Sequence, residues 1–73
     1  MARQDLKSEV TGKVWKILLP AGSRAAEGDV VLVVESMKME IPVMAERDGT
    51  VDEVLVAEGD SVQDGQVVAV MRS

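Results

Sequence analysis

The chain contains no cysteine and no histidine. The first absence excludes a disulfide framework and thiolate metal sites. The second removes the commonest general base and the commonest metal ligand. Phenylalanine and tyrosine are also missing and tryptophan occurs once, as Trp15, so the stacking platform of single-strand nucleic-acid binders is not available. Acidic residues outnumber basic ones, 13 to 8, for a formal net charge of −5, and phosphate binding needs the opposite sign. No apolar run reaches the length of a membrane-spanning helix, and the N-terminal stretch MARQDLKSEV lacks the apolar segment of a signal peptide. These absences point away from nucleic acid and membrane and toward a cytoplasmic setting. At 73 residues the chain is expected to form one small domain, with a core at about residues 9–71. A domain of that size buries only about 60% of the surface its unfolded chain exposes, which leaves little room for a deep catalytic cleft.

What is present is rich in valine and acidic residues punctuated by glycine, and the pattern is present twice. GKVWKILLPAGSRAAEGDVVLVVES, from Gly12, aligns without a gap on GTVDEVLVAEGDSVQDGQVVAVMRS, from Gly49. The offset is 49 − 12 = 37. The pairs Gly12/Gly49, Gly22/Gly59 and Gly28/Gly65 coincide, as do Val14/Val51, Leu18/Leu55, Val31/Val68 and Ser36/Ser73. Glycines repeated at matched positions mark the same backbone turns twice. Each half reads as a strand, a glycine turn, a short polar link, a second turn and a second strand, with β-branched residues bounded by Gly and Asp. The links RAAEGD and SVQDGQ read as short strands or extended connections. Sustained helical periodicity with caps is missing.

Neither unit can bury its apolar face alone. The fold expected is all-β: a flattened β-barrel or sandwich (a barrel-sandwich hybrid) of two four-stranded antiparallel sheets related by a pseudo-two-fold axis. The predicted core is Val14, Ile17, Leu19, Val31, Val33, Ile41, Val51, Val54, Val56, Val62, Val68 and Val70. Trp15 aligns with Asp52 and belongs near the surface, where it either covers an end of the barrel or meets a partner.

Where the second half ends at Ser73, the first continues from Ser36 into MKMEIPVMAERD. VVLVVES and MEIPVMA read as two strands joined at Met37–Lys38. Two-residue hairpins favour Gly, Asn or Asp, because their central residues need positive φ. Met and Lys give no such help, so something other than turn chemistry favours them there. A lysine at a rigid tip is well presented to another protein, and flanking methionines form an adaptable apolar surface. Symmetry predicts that this turn and the chain termini lie at opposite ends, with the turn in solvent.

On these residues the sequence resembles the biotinyl/lipoyl attachment domain family, and specifically its biotinyl branch, whose members carry a modified lysine in Met-Lys-Met. The likeness runs from about Glu9 to Met71 and includes the AGS and EGD turns and ERDGTV leading into the second half. It is greatest to single-domain biotin/lipoyl attachment proteins of the biotin carboxyl carrier type. The resemblance implies a carrier that is not itself an enzyme. Biotin protein ligase would join the biotin carboxyl to the Lys38 amine, and biotin would take a carboxyl group at a biotin carboxylase site and release it at a carboxyltransferase site. The hard chemistry belongs to the cofactor and partner enzymes. Met37 and Met39 become flanking recognition and positioning residues, and Glu35, Ser36 and Glu40 candidates for ligase recognition. A freely moving carrier is expected to be a monomer. Three family features differ here: SEVTG stands where large carboxylases have PMPG, Ser36 precedes Met37 where many members have Ala, and the ungapped repeat leaves no space for the protruding thumb that some acetyl-CoA carboxylase carriers insert between early strands.

Lipoate on Lys38 is the nearest alternative cofactor, on the same fold, although lipoyl domains show Asp-Lys-Ala at the tip. An unmodified interaction module of this fold is a further alternative, but it has no need of Lys between two Met. A Schiff-base enzyme would need a pocket that lowers the lysine pKa, and an exposed tip offers none.

Overall fold

The computed structural model describes residues 2–73. Eight strands run in chain order: β1 Arg3–Lys7, β2 Gly12–Ile17, β3 Arg24–Ala25, β4 Val30–Ser36, β5 Met39–Met44, β6 Gly49–Val54, β7 Ser61–Val62 and β8 Val67–Arg72. No helix occurs among the described residues. The long central strands, VVLVVES and VVAVMR, are rich in β-branched side chains that suit a pleated surface buried on one face. The polar links contribute β3 and β7, two residues each.

The strands form two antiparallel four-stranded sheets, ordered β1-β8-β6-β3 and β5-β4-β2-β7. Adding 37 to residue numbers sends β1 to β5, β2 to β6, β3 to β7 and β4 to β8, and so turns one sheet order into the other. Hydrogen bonds repeat with the same offset. The Gly22 amide donates to the Val51 carbonyl at 2.7 Å, and the Gly59 amide to the Val14 carbonyl at 2.8 Å. Both glycines have strongly positive φ, +94° and +93°, a conformation that costs a residue with a Cβ of order 1–3 kcal/mol. Bulges repeat too: β2 slips against β4 between Val14 and Lys16, and β6 against β8 between Val51 and Glu53.

Sequence similarity starts at Gly12, but the structural repeat starts earlier. β1, upstream of the Glu9 boundary read from the sequence, pairs with β8 as β5 pairs with β4. Leu6 and Val43, separated by 37, are both buried. Residues 2–8 and 39–45 differ in side-chain type at matched positions, so the match is not visible in the sequence.

The core lies between the sheets. Val14, Val31, Val51, Val62 and Val68 are buried as predicted. Ile17, Leu19, Val54 and Val56 pack against the cluster while partly exposed. Val33 and Ile41 are only partly covered, whereas Leu32, Val34, Val43, Ala69 and Met71 are buried. The cause in β4 is the register slip between Val30 and Leu32. A bulge changes which residues face inward, so simple alternation from Val31 picks the wrong face. Val70 is buried yet stands outside the core cluster, on the outer face of its sheet. Among the described residues, every buried side-chain nitrogen or oxygen has a hydrogen-bond partner.

Candidate functional site: the β4–β5 hairpin

β4 and β5 pair in register down to Ser36 opposite Met39, which leaves Met37 and Lys38 as the two-residue turn. Both adopt left-handed backbone, φ +52° at Met37 and +66° at Lys38. Among the described residues they are the only non-glycine positions with positive φ. This is the backbone that a two-residue hairpin demands, here met by residues that pay a steric cost for it. The cost is tolerated because the strands on either side are fixed by the sheet.

The strand side of the turn is held by the neighbouring strand. The Ser36 hydroxyl donates to the Thr11 carbonyl at 2.8 Å, and the Thr11 hydroxyl accepts from the Asp64 amide at 3.2 Å. A Cβ placed on Gly12 would collide with the Glu35 carbonyl. The backbone of β2 therefore lies hard against the root of the hairpin. Gly12 and Gly49 are not turn residues, as the repeat suggested. They open β2 and β6, and glycine is needed there for close backbone approach. Thr11 and Gly12 are supporting residues that the sequence reading did not single out. For Gly12 the repeat carried the signal, read as a turn; for Thr11 no sequence pattern did.

The six residues singled out in the sequence come together here. Lys38 is exposed at the tip. Met37 is 93% exposed and Met39 63%, so neither methionine fills a gap in the core. Glu35 and Glu40 face each other across the strands, with Lys13 in register on the other side of Glu35. Like charges directly opposite are destabilising, so this pair is not explained by stability of the hairpin. The two-fold partner of the tip is the pair of chain ends: 36 + 37 = 73 and 39 − 37 = 2, and the Ser73 amide donates to the Ala2 carbonyl at 3.0 Å. The molecule is elongated, 35 × 18 × 18 Å.

A lysine at the end of a braced hairpin, flanked by exposed methionines, fits covalent attachment of a group that another enzyme adds. In comparison with known proteins, the family model for biotin-requiring enzymes matches residues 5–71. The chain belongs to the biotinyl/lipoyl attachment family. This attachment domain is 40% identical over 68 residues to the biotinylated protein TB7.3 homolog of Mycobacterium leprae, covering 93% of this chain and 96% of that one. It is 45% identical over 60 residues to the biotin/lipoyl attachment protein of Bacillus subtilis, with 82% of each chain covered. Its fold superposes on part of the urea carboxylase of Kluyveromyces lactis with a TM-score of 0.93 at 38% identity, over 99% of this chain and 6% of that enzyme. The attachment domain is of the biotin carboxyl carrier type: a carrier module with no catalytic role of its own.

Proposed function

We propose that Lys38 is the residue biotinylated, by biotin protein ligase, and that the domain then moves carboxyl groups between a biotin carboxylase site and a carboxyltransferase site in the cytoplasm. The observation that carries this reading is the tip itself. Lys38 extends from a turn whose strained backbone is kept at two non-glycine positions, between two exposed methionines. Biotin, when attached, supplies an acceptor for the carboxyl group. The residues of the tip have distinct parts. The Lys38 Nζ attacks an activated carboxyl through its lone pair, so a proton leaves the nitrogen as the amide forms. The chain contains no histidine, and the ligase takes this proton as it acylates the amine. Met37 and Met39 form an adaptable apolar collar around the attachment point. Glu35 and Glu40 present negative charge to the ligase, and Ser36 fixes the root of the hairpin against Thr11.

The intact mass of protein co-expressed with biotin protein ligase tests this. Wild type is expected to gain one biotin, bind streptavidin and accept a carboxyl group in a carboxylase assay. Lys38→Arg is expected to gain none while keeping the wild-type circular dichroism and melting temperature, because the side chain is in solvent. A lipoyl adduct in place of biotin would show the alternative cofactor, which the same hairpin and the name of the B. subtilis relative keep in view.

A further inference from the structure

The duplication provides an internal control for the outer surfaces, because the same fold is built twice with different side chains. In the sheet that carries the hairpin, Trp15 and Lys16 together stand opposite Val33 at the bulge, and Val33 stands opposite Pro42. In the other sheet the matching row is Asp52 and Glu53, Val70 and Asp5; 15, 16, 33 and 5 become 52, 53, 70 and 42 on adding 37. Further along, Met44 opposes Val30 where Lys7 opposes Val67. The second surface is an ordinary solvated one. Its charges are joined as Arg3–Asp5 at 2.7 Å and Arg72–Asp52 at 3.0 Å, and Val70 beneath them is buried. The first surface has an apolar ledge in the same place. Trp15 is 49% and Met44 47% exposed, Pro42 is exposed and Val33 only partly covered. Folding does not require apolar residues there, since the twin sheet folds with Asp at two of the equivalent positions.

The ledge is continuous with the tip. Pro42 lies four residues from Lys38 along β5 and Val33 five along β4, which at about 3.3 Å per residue is roughly 15 Å. A stable protein interface covers about 800 Å² on each partner, a disc roughly 16 Å in radius. A partner seated on Lys38 therefore reaches Trp15 if it leans toward this face. We propose that this partner is the biotin protein ligase, and that Trp15, Val33, Pro42 and Met44 form its docking ledge. The inference rests on Lys38 being the biotinylated residue. The geometry of the reaction selects the ligase over the carboxylase. Acylation takes place at the amine, one lysine side chain from the backbone, so the ligase must press against the hairpin and the surface beside it. Carboxylase sites receive the far end of an arm lengthened by biotin and need less contact with the protein body. The Glu35–Glu40 pair lies between ledge and tip, so the ligase surface meeting it is apolar where it covers Trp15 and cationic where it covers the pair. A half-buried Trp next to a charged rim has the form of an interface anchor.

The twin sheet also supplies variants that the fold accommodates. Steady-state biotinylation by purified biotin protein ligase, with biotin and ATP, is measured on wild type, Trp15→Asp, Trp15→Asn, Pro42→Asp and Lys7→Met. The Trp15 variants are expected to raise KM for the carrier by about 10-fold or more with kcat nearly unchanged. Trp15→Asn separates loss of apolar contact from added charge. Lys7→Met, on the other sheet, is expected to leave KM unchanged. In a second measurement, independent of those variants, ¹⁵N-labelled Lys38→Arg is titrated with the ligase, and the Trp15 indole and Val33 amide signals are expected to broaden before those of Val70 and Asp52. If wild type takes biotin and the Trp15 variants match its KM, the ledge is not the docking surface. If ligation is unchanged but carboxylation of the biotinylated variants falls, the occupant is the carboxylase and the proposal is overturned. A wild type that takes no biotin at all overturns the carrier role of Lys38, and the ledge with it.

Discussion

At the scale of the residue, the turn shows a conflict between stability and use. Met37 and Lys38 hold left-handed backbone that Asn or Gly would adopt at lower cost. Under the proposed function, attachment needs an amine at one position and the apolar collar needs a thioether at the other. Met37→Asn is therefore expected to raise stability by up to about 1 kcal/mol, read as a higher urea midpoint. Biotin should still be attached, but carboxyl transfer by the biotinylated variant should slow because half the collar is lost. A variant no more stable than wild type would show that the turn is not strained. Exposure separates these methionines from Met71, which is fully buried and behaves as an ordinary core residue.

At the scale of the element, the hairpin works as a rigid mount because three strands share its root. β4 pairs with β5 on one side and with β2 on the other, and Ser36 adds a side-chain bond to the Thr11 carbonyl at 2.8 Å. Ser36→Ala removes that bond. The expected cost is about 1 kcal/mol, with the fold retained, since Ser36 lies at the end of the strand and outside the core. Amide hydrogen exchange at residues 37–39 should accelerate more than at residues 31–34. Equal changes in both segments would show that the bond supports the whole strand and not the tip.

At the scale of the whole molecule, the pseudo-two-fold exchanges the tip with the chain ends. The ends are already side by side, Ser73 bonded to Ala2, in the place that the turn occupies in the other half. A circular permutant in which a short Gly-rich link joins Ser73 to Ala2, and the chain opens between Met37 and Lys38, reverses the two roles. Its core and both sheets are unchanged, so it is expected to fold with a similar circular dichroism spectrum and a melting temperature within several degrees of wild type, while losing biotinylation. A permutant that fails to fold would mean that the β4–β5 turn is needed to nucleate the structure. The same symmetry isolates what each sheet has acquired beyond folding: ion-paired charge on one outer face, an apolar ledge on the other.

The sequence by itself determined the duplication, the all-β class and the place of Lys38, because glycine turns, β-branched runs and an ungapped offset are local or periodic signals that survive without coordinates. It also determined that Met37 and Lys38 sit in a turn unfavourable to them. Only the tertiary structure decided which face of β4 points inward, because the slip between Val30 and Leu32 depends on pairing with a strand elsewhere in the chain. It decided that β1 completes the first sheet, a pairing between residues at the two ends of the sequence that no local pattern specifies. It assigned Gly12 to close packing against Glu35 and set Trp15 beside Val33 and Pro42 on the sheet that carries the tip. Such neighbours are made by backbone approach across strands, and their identity depends on register, which a linear pattern does not contain.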